Sequence, residues 1–127
     1  MDIFTSSFSV ARGLDSSRYC VVSIARFVPR GFKGVRCLAF APSKELLSDY
    51  KEGLSESSYK ARYLKELGCA SRVHEVFESL VPFCQGRDLV LCCYESADRF
   101  CHRHLLAGFV QSHWGYVIEE LNISNNN

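Results

Sequence analysis

The chain alternates short apolar runs with longer segments in which apolar residues recur every three or four positions. The most apolar run is Leu89-Val90-Leu91-Cys92-Cys93, which follows the turn signal Gly86-Arg87-Asp88. It shows no polar alternation. Such a run predicts a strand buried on both faces, the habit of a central parallel strand. Residues 19–25 (Tyr-Cys-Val-Val-Ser-Ile-Ala) predict a second buried strand that ends at Arg26 and Pro29. Residues 3–6, 35–40 and 116–119 predict three further short strands, with 30–34 as a loop.

Helical spacing fills the intervals. Ser43 is placed to cap a helix bearing Leu46, Leu47 and Tyr50 and ending at Gly53. Ser55 caps a second, with Tyr59, Tyr63, Leu64 and Leu67 on one face and Gly68 as its stop. Ser71 caps a third, bearing Val73, Val76, Phe77, Leu80 and Val81, which Pro82 is expected to end early. Residues 101–113 predict the last helix, with Leu105, Leu106, Phe109 and Val110 inward and Gly115 as its break.

Strands alternating with helices predict an α/β domain: a three-layer, Rossmann-like arrangement with a mainly parallel sheet and helices on both faces. Residues 1–121 read as that one domain and 122–127 as a disordered polar tail. Ligands of such sheets bind just past the carboxyl ends of the strands. Here those ends are Arg26 and the segment after Cys93.

Composition narrows the picture. Hydrophobic residues make up 47% and aromatic residues 13%, enough to offset the ordering entropy of a chain of 127 residues. The formal charge of +1 excludes a whole-chain electrostatic footprint for a nucleic-acid polymer, which would need a local basic patch. A small anion requires only one placed arginine and some free backbone N–H groups. No apolar run approaches the roughly 20 residues of a membrane span. Asp2 and the absence of a basic N-terminal region followed by a long apolar stretch argue against a secretory signal, so a cytoplasmic chain is expected. Seven cysteines, an odd number with no CxxC pair, fit reduced thiols, most of them acting as small buried hydrophobes.

The chemistry concentrates between Cys93 and His104, where two acids, two arginines, two histidines and two thiols follow the central strand. The segment leads into a helix whose N-terminal N–H groups and partial positive charge suit an anion and favour the thiolate of Cys101. The plain structural alternative has Ser96 or Asp98 capping the helix while Arg103 pairs with Glu95.

Cys93-Tyr94-Glu95, followed by Phe100-Cys101-His102-Arg103-His104, resembles the signature of the family called domain of unknown function number four hundred and eighty-eight. The likeness extends through Ser23-Ile24-Ala25-Arg26, Leu38 to Ser43 and Tyr50 to Leu67, roughly residues 19 to 120. Many members carry Asp-Val-Arg where this chain has Ile24-Ala25-Arg26. The resemblance implies an α/β fold and a pocket using Arg26, Glu95, Cys101, His102 and Arg103.

These residues admit several chemistries. Cys93 and Arg99 have the Cys-x5-Arg spacing of a phosphate loop, but Glu95 and Asp98 would repel the anion and no glycine is present. Cys93, Cys101, His102 and His104 offer metal-ligand atoms without a standard zinc spacing. A thiol-redox role for Cys101 with Cys93 lacks the CxxC context. The favoured enzyme reading is reaction at an N-glycosidic bond, hydrolysis or transfer. Glu95 acts on the anomeric carbon, Arg26 and Arg103 hold a phosphate, and Cys101 and His102 shape the pocket or assist proton transfer. Tyr59 and Tyr94 are candidates to stack on a base, whereas Tyr63 reads as core. The competing reading is a binder that sequesters the same nucleotide-like ligand. No cofactor and no membrane partner are implied, and a homodimer is open.

Overall fold

The computed structural model describes residues 1–95 and 99–121. Five strands, β1 (Ile3–Ser7), β2 (Tyr19–Ser23), β3 (Val35–Arg36), β4 (Asp88–Cys93) and β5 (Glu119–Glu120), form one sheet in the order β3-β2-β4-β1-β5. Every pairing is parallel. The helices are α1 (Phe8–Ala11), α2 (Lys44–Lys51), α3 (Glu56–Leu67), α4 (Ala70–Cys84) and α5 (His102–Trp114). The α/β class with helices on both faces is therefore the fold. The strand order matches neither of the two common doubly wound orders.

Topology explains how the faces are covered. The chain moves from β1 to β2 to β3 in one direction across the sheet, then back to β4 and on to β5 in the other. Parallel connections are right-handed, so the two directions place their connecting segments on opposite faces. The first two connections carry only the four-residue α1. The last two carry α2 to α5. Side chains alternate along each strand accordingly. Cys20, Val22, Leu89 and Leu91 enter the large core with Leu46, Tyr63, Val73 and Leu106. Tyr19, Val21, Val90 and Cys92 face the thin side, against Phe8, Phe32 and Leu121.

Local chemistry set the elements largely as expected, with six differences. Ser43 and Ser55 cap α2 and α3 by accepting from Leu46 N and Ser58 N, and Gly115 ends α5 in the left-handed conformation. The strand expected over 35–40 is only Val35–Arg36. Leu38–Phe40 turns as a 3-10 helix that sends Phe40 into the core. The strand expected over 19–25 ends at Ser23, and the last one is Glu119–Glu120 rather than 116–119. Helix α4 starts at Ala70, with Cys69 rather than Ser71 at its N-cap. Pro82 does not stop α4, which runs on to Cys84, where Gln85 takes the left-handed conformation. Finally, α1 carries no sequence signal beyond Ser7, whose hydroxyl accepts from Val10 N. The tail 122–127 and the caps proposed at Ser96 and Asp98 lie outside the described residues. No helix among the described residues is long and apolar enough to cross a membrane.

Candidate functional site

Strands β2 and β4 are neighbours, yet the connections that leave them cross opposite faces. A crevice therefore opens between their carboxyl ends, the position where open α/β sheets bind ligands. A cavity of about 130 Å³ lies there. Arg26 enters it from the end of β2, Tyr94 and Glu95 from the end of β4, and Tyr59 from α3. Cys93, Cys101 and His102 also border it. Arg26, Tyr59, Tyr94, Glu95, Cys101 and His102 were all named from sequence, and they line this one cavity.

The walls are largely aromatic. Tyr59 packs edge-on to Tyr50 at 5.0 Å and to Phe100 at 5.3 Å between ring centroids. Its phenol is pushed far above the ordinary range by burial first, then by the charges of Glu66, Tyr50 and Glu95. It is therefore a neutral wall, not a base. Tyr94 is exposed at the rim, 4.8 Å from the ring of Phe8. Tyr63 is core, as read, and donates to the Phe40 carbonyl at 2.7 Å.

Arg26 is half-buried, and its Nε donates to the Pro42 carbonyl at 3.1 Å. That bond fixes the guanidinium beside the cavity. Among the described residues its two Nη groups make no hydrogen bond. Glu95 is exposed, and its carbonyl accepts from Arg103 Nη1 at 2.7 Å.

Arg103 sits elsewhere than expected. It is completely buried and does not border the cavity. Its Nε and Nη2 donate to the two carboxylate oxygens of Glu120 at 3.1 and 2.8 Å, and Nη1 reaches Cys93 Sγ at 3.0 Å. The anion-holding role assigned to Arg103 thus fails on position, and the pairing with the Glu95 carboxylate is replaced by Glu120. Burial alone would raise the Glu120 carboxyl. The hydrogen bonds from Arg103 and Thr5 outweigh it and hold the group below its ordinary value. Arg103 joins α5 to β5 and fixes the backbone of Glu95.

His102 is buried, and its Nε2 lies 2.6 Å from the Ile24 carbonyl. A carbonyl only accepts, so Nε2 carries the proton and Nδ1 presents a lone pair toward Cys101 Sγ, 3.7 Å away. Burial pulls the imidazole down to about 4, so it is neutral at pH 7. Cys93 and Cys101 pair as a disulfide, against the expectation that the cysteines are all reduced thiols. Cys20, Cys37, Cys84 and Cys92 are buried, as expected of small hydrophobes, and Cys69 is exposed. Burial drives the Cys92 thiol up to about 12.

Arg99 is exposed and does not border the cavity, so the Cys-x5-Arg spacing builds no cradle among the described residues. His104 turns toward Glu120, at 4.0 Å, away from the Cys93, Cys101 and His102 group. Sequence reasoning missed Glu120 and Ile24. A fully buried arginine demands an acid, but nothing in the spacing says which one.

A second cavity, a groove of about 710 Å³, runs over the thin face beside Phe8, Tyr19 and Phe32. Arg12, Arg30 and Lys33 border it, with no carboxylate or imidazole among its described lining residues. It has cations and surface but lacks the carboxylate that the first cavity holds.

Comparison with known proteins agrees with the motif. The family model described as the active DUF488-N3 subclade matches residues 8–114. No curated protein and no solved structure matches the chain.

Proposed function

We propose that this chain, which belongs to the DUF488 family, binds a phosphate-bearing nucleoside derivative at the ends of β2 and β4 and acts on its N-glycosidic bond. The observation that carries the reading is convergence. A guanidinium from one strand end and a carboxylate from the next meet at a single aromatic-walled cavity. A dry cavity of roughly 150 Å³ holds one benzene ring. A space of about 130 Å³ therefore takes one ring of the ligand, with the remainder outside.

The sugar is the ring placed beside Glu95. Its carboxylate attacks the anomeric carbon, or stabilises the oxocarbenium ion as the bond to the base breaks, and water or an acceptor hydroxyl completes hydrolysis or transfer. Arg26 holds the phosphate by charge-assisted hydrogen bonds. Tyr94 at the rim offers a face to the base. Arg103, acting through the Glu95 carbonyl, keeps the carboxylate in place. The description of the matched subclade as active favours turnover over storage.

The test is incubation with a panel of nucleotides that includes dinucleotide cofactors and ADP-ribose, with mass spectrometry of bound and released species. Wild type should release a cleaved base, and Glu95→Gln should retain the intact ligand. Arg26→Ala should weaken binding by roughly ten- to a hundredfold, the worth of one hydrogen bond to a charge. Intact ligand recovered from both wild type and Glu95→Gln would reduce the protein to a binder. Binding unaffected by Arg26→Ala would remove the site.

A further inference from the structure

We propose that Cys93, Cys101 and His102, once the cysteine pair is reduced, form a binding site for one divalent metal ion of the zinc class, open toward the cavity at the strand ends. The site requires no nucleotide and stands independently of the reading above.

Geometry carries it. Two cysteine sulfurs and one imidazole nitrogen lie within 4.8 Å of one another, and all three residues are buried. They come from different elements, the end of β4 and the first positions of α5, so the fold brings them together and sequence proximity alone does not. The imidazole is set for ligation. Its Nε2 proton is committed to the Ile24 carbonyl at 2.6 Å, which fixes the ring and leaves the Nδ1 lone pair on the thiol side. A backbone carbonyl holding the far nitrogen is the usual support of a metal-ligating histidine.

The backbone spacing argues in the same direction. The Cα atoms of Cys93 and Cys101 are 7.8 Å apart, beyond the roughly 4.4–6.8 Å that a disulfide spans. A backbone held that wide leaves room for a larger atom between the two sulfurs once they are reduced. Arg103 Nη1 donates to Cys93 Sγ and places a positive charge beside that sulfur. Glu120 balances the arginine. Two thiolates and one imidazole are a soft, nitrogen–sulfur set that selects zinc-like ions over magnesium or calcium. Three protein ligands leave one coordination position, and these residues border the cavity that Glu95 and Arg26 share. His104, facing Glu120, is not the fourth ligand.

Cobalt(II) is the probe. The full chain, reduced, stripped of metal and kept anaerobic, should bind one equivalent with a thiolate-to-cobalt charge-transfer band and a tetrahedral ligand-field spectrum, both displaced by zinc. Cys93→Ser and Cys101→Ser should each abolish the band and weaken binding by about a hundredfold or more. His102→Gln, which keeps a donor for Ile24, should cost at least about tenfold. Cys69→Ser should bind as wild type. Because buried substitutions can disturb folding, alkylation of the wild type provides a second measurement: zinc should protect Cys93 and Cys101 from a thiol reagent. Absence of the charge-transfer band, binding that survives Cys93→Ser, or failure of zinc to protect the pair would overturn the proposal. So would finding only five reactive thiols among the seven after denaturation without reductant, with no metal bound once they are reduced. A bound cobalt ion in a protein that takes up no nucleotide would leave this site standing and remove the other reading.

Discussion

The two faces of the sheet are built to different standards. The face that carries α2 to α5 buries Val22, Leu89, Leu91, Val73 and Leu106 completely or nearly so. The face that carries α1 is covered by that single turn and by loops, and it leaves Phe32 half-buried and Tyr94 exposed. The same five strands serve both. The difference lies in the connections, because the two leftward crossings are short and the two return crossings are long. More of the stability therefore resides on the thick face, although Val90 and Cys92 are fully buried on the thin one. The candidate site sits where the two meet, at the carboxyl ends of β2 and β4, with residues of α2 and α3 and the start of α5 behind it and exposed Tyr94 and Glu95 in front.

The comparison can be broken by mutation. Leu91→Ala removes a fully buried side chain from the thick face and should cost about 4 kcal/mol in a urea unfolding experiment. Arg103→Ala leaves Glu120, partly buried, without its two strong donors and should cost about 3 kcal/mol by the same measure. Stability equal to wild type would mean that the buried pair adds nothing to the joint between α5 and β5.

Acid should act on the same joint and its neighbour. His102 is ordinarily half-protonated near 6.5 but stays neutral in the fold down to about 4. Below pH 6.5 the unfolded chain gains a proton that the folded one refuses, so stability falls as pH drops from 6.5 to 4. The loss is up to about 3 kcal/mol. Glu120 has the same sign at lower pH: its contribution is present above 4.5 and is lost as pH falls through its depressed folded value. Unfolding curves across pH 4 to 7 should show this slope for wild type and a flatter one for His102→Gln. The smallest effect belongs to the thin face. Phe32 touches Phe8 edge-on at 5.4 Å, but it is half-exposed, and Phe32→Ala should cost only about 1 kcal/mol. A cost matching that of Leu91→Ala would erase the distinction between the faces.

Much of this was legible in the chain. Residues 89–93 announced a strand buried on both sides because they lack any polar alternation. Ser43, Ser55, Gly68 and Gly115 marked helix ends through chemistry that needs no tertiary contact. Leu38–Phe40 was misread because a short apolar run looks alike in a strand and in a turn that buries one ring. Pro82 was misread because a proline inside a helix removes one backbone hydrogen bond without having to end it, and α4 runs two residues further. At the site, Arg26, Tyr59, Tyr94, Glu95, Cys101 and His102 were readable because strand ends and a helix start converge by topology. The fate of Arg103 was not. Its partner Glu120 lies 17 positions away on an edge strand, and whether a guanidinium meets a ligand or an internal acid depends on that packing alone.

The central claim is that the ligand enters between β2 and β4 and leaves the basic groove of the thin face empty. Titration of the isotopically labelled protein with ADP-ribose, followed by amide chemical-shift mapping, tests it directly. Shifts should centre on Arg26, Tyr59, Tyr94, Glu95 and Cys101, with Arg12, Arg30 and Lys33 unmoved. Shifts confined to Arg12, Arg30, Phe32 and Lys33 would contradict it.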